Sequence, residues 1–73
     1  MRSPEEIAAN LKAWWEGKPA RLRPYGVPLS AAVTAAECAC DELLAGRVDD
    51  ARAYAEAYRL LRAERRASTE RAS

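Results

Sequence analysis

Apolar residues near the start of the chain recur with a helical period. Ile7, Leu11, Trp14 and Trp15 fall at i, i+4, i+7 and i+8, which is one helical face. Ser3 stands where an N-cap belongs, Pro4 follows at the first helical position, and Glu6 completes the spacing of a capping box. Gly17 offers a left-handed stop and Pro19 forbids continuation. The pattern predicts a first helix over residues 4–16. A second stripe, Val33, Ala36, Cys40, Leu43 and Leu44, is expected to face the core, with Thr34, Glu37, Asp41 and Arg47 elsewhere. It predicts a helix over 30–45, starting at Ser30 or at Pro28 with Ser30 inside the first turn, and ended by Gly46. Asp49 then caps a third helix over 49–67, with Asp50 adding negative charge at its N-terminus. Along it Ala51, Tyr54, Tyr58 and Leu61 keep heptad-like spacing, with Ala53, Ala57 and Leu60 alongside.

These elements give an all-α, small three-helix domain spanning 1–67, with residues 68–73 as a frayed tail. The short turn between helices 2 and 3 predicts an antiparallel hairpin, with helix 1 laid across it. Helices 1 and 2 are joined by a proline-rich loop over 17–29, stiffened by Pro19, Pro24 and Pro28. The loop is longer than a helix–helix connector needs. Its Leu22, Tyr25, Val27 and Leu29 are expected to fold back on the helices.

The turn Gly46-Arg47-Val48-Asp49-Asp50-Ala51 resembles that of a tetratricopeptide unit, in which a Gly, a hydrophobe, acidic positions and an Ala open the second helix. The likeness covers at most one unit, residues 31–64. It departs from the family pattern at Ala35, Cys38 and Ala39, which replace the large aromatic and the Leu-Gly pair. Tyr58 stands where a small residue is expected. The chain carries no second copy, and such solenoids are built from several.

Composition changes the picture in one respect. The chain has 73 residues and is 49% hydrophobic, but much of that fraction is alanine, so large side chains available for a core are few. A partner or an oligomer that binds only the folded form would add the stability that such a core lacks. The heavy use of Ala and Arg suits a GC-rich bacterial or phage genome.

Net charge is +1, unevenly placed: residues 1–50 carry six basic and eight acidic side chains, residues 51–73 six and three. The whole chain is therefore not expected to bind polyanions. The apolar runs are too short to cross a membrane. Glu5 and Glu6 directly after Arg2 break the order of a signal peptide, so a cytoplasmic location is expected. Cys38 and Cys40, two apart on a helix, point to nearly opposite faces and are read as free thiols behaving as small hydrophobes. With no His in the chain, no metal site is expected.

Nor does the sequence predict an enzyme or a cofactor. It has no His, no Gly-rich phosphate loop, and no Ser or Cys in a nucleophile context. Glu37, Asp41 and Glu42 read as a solvated helix face. The expected function is a non-catalytic protein–protein interaction module, a small adaptor, regulator or inhibitor that docks on a larger protein. The expected surface is Trp14, Trp15, Lys18, Arg21, Arg23 and Tyr25, because a small core can hide one of two adjacent tryptophans and the loop supplies a basic rim. One alternative is nucleic-acid binding by Arg52, Arg59, Arg62 and Arg66, which share a face of helix 3. Against it, Asp49 and Asp50 occupy the end of the helix that would meet phosphate, and Glu56 and Glu64 stand where they pair with these arginines. A further alternative is a hairpin that self-associates as a homo-oligomer.

Overall fold

A computed structural model describes the backbone of residues 2–72 and the side chains of residues 2–67. Three helices account for most of it: α1 (Pro4–Glu16), α2 (Val27–Leu44) and α3 (Val48–Ala72), with a short 3₁₀ turn at Ala20–Leu22. No strand occurs among the described residues. α2 and α3 form the hairpin and pack most closely, and α1 lies against both.

The start of α1 follows the sequence: Glu6 N–H donates to Ser3 Oγ at 3.2 Å, with Pro4 at the first position. Its end does not. Gly17 sits at φ −75°, in right-handed space, so Pro19 ends the helix and the left-handed stop is not used. α2 begins at Val27, three residues before Ser30. Pro28 lies in its first turn, where a missing N–H costs no intrahelical bond. Gly26 makes the entry at φ +89°, a conformation that L side chains rarely adopt.

The exit from α2 is a Schellman motif. Gly46 at φ +82° donates to Leu43 O at 3.0 Å, and Arg47 N–H to Glu42 O at 2.8 Å. α3 begins at Val48, so Asp49 lies inside the first turn instead of capping it, and it favours the dipole there together with Asp50. α3 also runs past Ala67 to Ala72, because neither Gly nor Pro interrupts that stretch. Ser73 of the expected tail lies outside the described residues.

Among the described residues nine hydrophobic ones are buried: Ile7, Leu61 and seven alanines, Ala8, Ala31, Ala32, Ala35, Ala51, Ala53 and Ala57. Leu61 is the only large side chain among the described residues that is fully buried. Leu11, Trp15, Tyr54 and Tyr58 pack around this centre, half-buried. Alanine on facing helices lets their axes approach closely, which leaves little room for anything larger. That is the physical reason for the largest correction to the sequence reading. The stripe Val33, Ala36, Cys40, Leu43 and Leu44 does not face the core: Val33, Cys40, Leu43 and Leu44 are exposed and Ala36 is half-buried. The inward face of α2 is Ala31, Ala32 and Ala35.

One ion pair ties the ends of the chain together. Lys12 Nζ of α1 lies 3.0 Å from both carboxylate oxygens of Glu64 on α3. Glu64, expected to pair with arginines of its own helix, is held by Lys12 of α1.

Candidate functional site

Trp14 and Trp15 have separate roles. Helical residues advance about 100° each, and Trp15 lies nearer the middle of the arc set by Ile7, Ala8 and Leu11. Its ring is half-buried, and its Nε1–H donates to Thr34 Oγ1 of α2 at 2.9 Å. The Thr34 hydroxyl in turn donates to Ser30 O at 3.1 Å, so the bond that pins α1 to α2 is itself oriented. Trp14, at the edge of the arc, is 55% exposed. It stands edge-on to Trp15, with ring centroids 5.2 Å apart and planes at 85°. Lys18 Nζ lies 4.2 Å from the Trp14 ring centroid, a cation–π contact that gives the exposed ring a second neighbour.

The loop is held by its backbone. Leu22 N–H donates to Pro19 O, Arg23 N–H to Ala20 O and Gly26 N–H to Arg23 O, all between 2.9 and 3.1 Å. Arg23 Nε–H reaches Lys18 O at 3.3 Å, so Arg23 acts as a clasp across the loop and is half-buried. Leu22 and Tyr25 do not fold back on the helices: they are exposed, Tyr25 at 70%. With short-range bonds fixing the loop, no large side chain is needed as an anchor, whereas Val27 and Leu29, in the first turns of α2, are half-buried. Arg21 is exposed. Trp15 and Tyr25 line one shallow groove with Leu29, Val33, Thr34 and Glu37.

On α3, Arg59, Arg62 and Arg66 gather round Tyr58 in a second shallow groove, which Arg52 does not line. Arg62 donates to the Tyr58 hydroxyl at 3.0 Å and lies over its ring at 5.7 Å. Arg59 pairs with Glu56 at 3.3 Å. Between the two grooves runs the outward face of α2. Leu29, Val33, Ala36 and Cys40 line it, with Glu37 and Asp41 on one flank and Tyr58 and Arg62 on the other. The sequence showed this stripe as apolar but assigned it to the core, so its role as surface was missed. The residues that could have revealed the error are the alanines at 31, 32 and 35, a second and smaller apolar face on the same helix.

Burial pushes the Cys38 thiol up, and the carboxylates of Asp41, Glu37 and Glu42 push it the same way. The Glu42 carboxyl is held below its ordinary range by hydrogen bonding to Arg47, and Arg47 is raised by the same bond. Both pairs of causes are structural: a half-buried thiol, and an exposed clasp over the end of α2. Among the described residues no polar or charged residue is buried, and no group of three or more Cys, Asp or Glu is placed to hold a metal ion. No helix among them is long and apolar enough to cross a membrane.

No known protein family, curated protein or solved structure matches the chain. The likeness of the 46–51 turn to a tetratricopeptide unit therefore rests on those six residues and on the hairpin they join.

Proposed function

We propose that the protein is a non-catalytic binding module, a small adaptor, regulator or inhibitor of the cytoplasm that docks on a larger protein. The surface runs from Trp14 and Lys18 along the loop through Arg21 and Leu22 to Tyr25. The observation that carries this reading is the exposed Trp14. Its ring contacts both Trp15 and Lys18, so its burial against a partner has less side-chain freedom to lose. Trp is the residue most concentrated at the energetic centre of interfaces, and exposed Leu22 and Tyr25 extend its apolar area. Lys18 and Arg21 make the rim positive, which calls for a partner pocket that is apolar at its floor and acidic at its edge. Trp15 and Arg23 support this surface from within.

Capture of a partner from the native host by immobilised protein tests the reading when variants are run in parallel. Trp14→Ala should weaken capture about 30-fold or more with no change in the melting curve. Arg21→Glu should weaken it in a salt-dependent manner. Trp15→Ala should instead destabilise the fold. A partner held equally well by Trp14→Ala refutes the surface. The gathering of Arg59, Arg62 and Arg66 favours a second reading, nucleic-acid binding. Duplex or single-stranded oligonucleotide retained at physiological salt, and lost in Arg59→Ala, Arg62→Ala, would put it first.

A further inference from the structure

We propose that the outward face of α2 is the seam of a parallel, two-fold-symmetric dimer of this chain. In that dimer Arg62 of each protomer meets Glu37 of its partner.

The seam is written in the spacing. Leu29, Val33, Ala36, Cys40 and Leu43 are separated by four, three, four and three residues, the 3.5-residue repeat of a coiled coil. Val33 and Cys40 take the a positions, and Leu29, Ala36 and Leu43 the d positions. Neither α1 nor α3 covers this row: Val33, Cys40 and Leu43 are exposed, Leu29 and Ala36 half-buried. A free peptide with so short a repeat would not hold a coil, since it must first nucleate a helix. Here α2 is already a helix of 18 residues, about 27 Å long, fixed by the rest of the domain. Association therefore has only the seam side chains to order. A β-branched residue at a with Leu at d favours two parallel strands, and Ala36 with Cys40 at mid-seam lets the helices come close.

Charge selects the orientation independently. The row is bordered by Glu37 and Asp41 on one side and by Tyr58 and Arg62 of α3 on the other, and all four line the same stretch of it. A two-fold axis running along the helices keeps heights unchanged and sets each border against the opposite one. Glu37, an e position, then faces the partner's α3 at the height of Arg62. An axis running across the helices would instead set the acidic border against itself, and like charges there oppose association. Arg62 is preplaced for the contact by its bond and stacking on Tyr58.

Sedimentation or light scattering at about 100 µM should find a dimer, and Val33→Glu or Leu43→Glu should raise its dissociation constant on the order of 100-fold. Both positions are exposed, so circular dichroism of these variants should be unchanged. Glu37→Arg and Arg62→Glu should each weaken the dimer, and the double variant should restore it. In a parallel pair the two Cys40 Cα atoms lie roughly 5–6 Å apart, within disulfide range. Mild oxidation of Cys38→Ser should then yield a covalent dimer, and oxidation of Cys40→Ser should not. Trp14→Ala should leave the dimer intact, which separates this surface from the docking site proposed above. A monomer at that concentration, or a dimer indifferent to Val33→Glu, overturns the seam. A dimer in which Cys40 does not cross-link or the double variant fails to restore association overturns the parallel arrangement.

Discussion

The two faces of α2 are both apolar, and they meet different surroundings. Ala31, Ala32 and Ala35 face inward and are wholly buried. Leu29, Val33, Ala36, Cys40 and Leu43 face outward with larger side chains and more exposure. By hydrophobicity alone the outer face should have been buried first, since it has more apolar area to remove from water. Fit decides otherwise. Ala31, Ala32 and Ala35 of α2 share one buried cluster with Ala53, Ala57 and Leu61 of α3, and helices that meet through so many alanines pack close and leave little room for a larger side chain at those positions. On α2 the larger residues are kept for the surface, and the alanines face the core.

The comparison breaks first where the core is least able to compensate. Leu61 is the one fully buried large side chain among the described residues, so Leu61→Ala should cost about 2–5 kcal/mol. A domain of this size holds only roughly 0.05–0.15 kcal/mol per residue, so the variant should be largely unfolded at 37 °C by circular dichroism. Ala35→Leu tests fit directly. It adds apolar area at a site with no exposure and should still destabilise, by about 1–3 kcal/mol in urea titration. Stabilisation by Ala35→Leu would mean that the alanine packing is loose.

Next in size is the turn that brings the two helices face to face. Gly46 at φ +82° has nothing within 4 Å of where a Cβ would stand, so Gly46→Ala meets only backbone strain. A loss of about 1–2 kcal/mol in urea titration is expected. The outer face should respond least. Leu44, 88% exposed, should tolerate Leu44→Ser within about 0.5 kcal/mol in the same titration.

Much of the fold was legible for reasons that are local. The capping pattern at Ser3–Glu6, the stop at Gly46 and the acidic first turn of α3 depend on residues within a few positions of one another, and three helices follow from them. The orientation of α2 was not legible in that way. Its Val/Leu row has the stronger helical period, and nothing within the helix states that α3 will present alanines to it. The split between Trp14 and Trp15 was legible as a division of roles, since a thin core hides one ring. Which ring is hidden depended on Thr34, a partner far along the chain for the Trp15 indole. Arg23 and Lys18 looked alike as loop cations, and only the folded loop distinguishes the clasp from the cation over Trp14.

The thiols offer the finest probe of the same comparison, because Cys38 and Cys40 lie two residues apart and report on opposite sides of α2. Cys38 is half-buried and Cys40 is exposed. The thiolate is the reactive form, and burial together with Asp41, Glu37 and Glu42 raises the Cys38 pKa, so a smaller fraction of it is ionised at neutral pH. In dilute protein Cys40 should therefore react several-fold faster with iodoacetamide, as read by mass spectrometry of peptides from the single variants Cys38→Ser and Cys40→Ser. Raising the pH should speed the reaction of Cys38, whose ionisation is displaced upward and which therefore still has thiolate to gain above neutrality. Raising the protein concentration should act on Cys40 alone: at an a position of a dimer seam it is covered, and its rate should fall while that of Cys38 stays constant. If both rates are independent of concentration, the outer face is open to water in solution. If Cys38 is the faster at every concentration, α2 is turned the other way and the alanines are not its inner face.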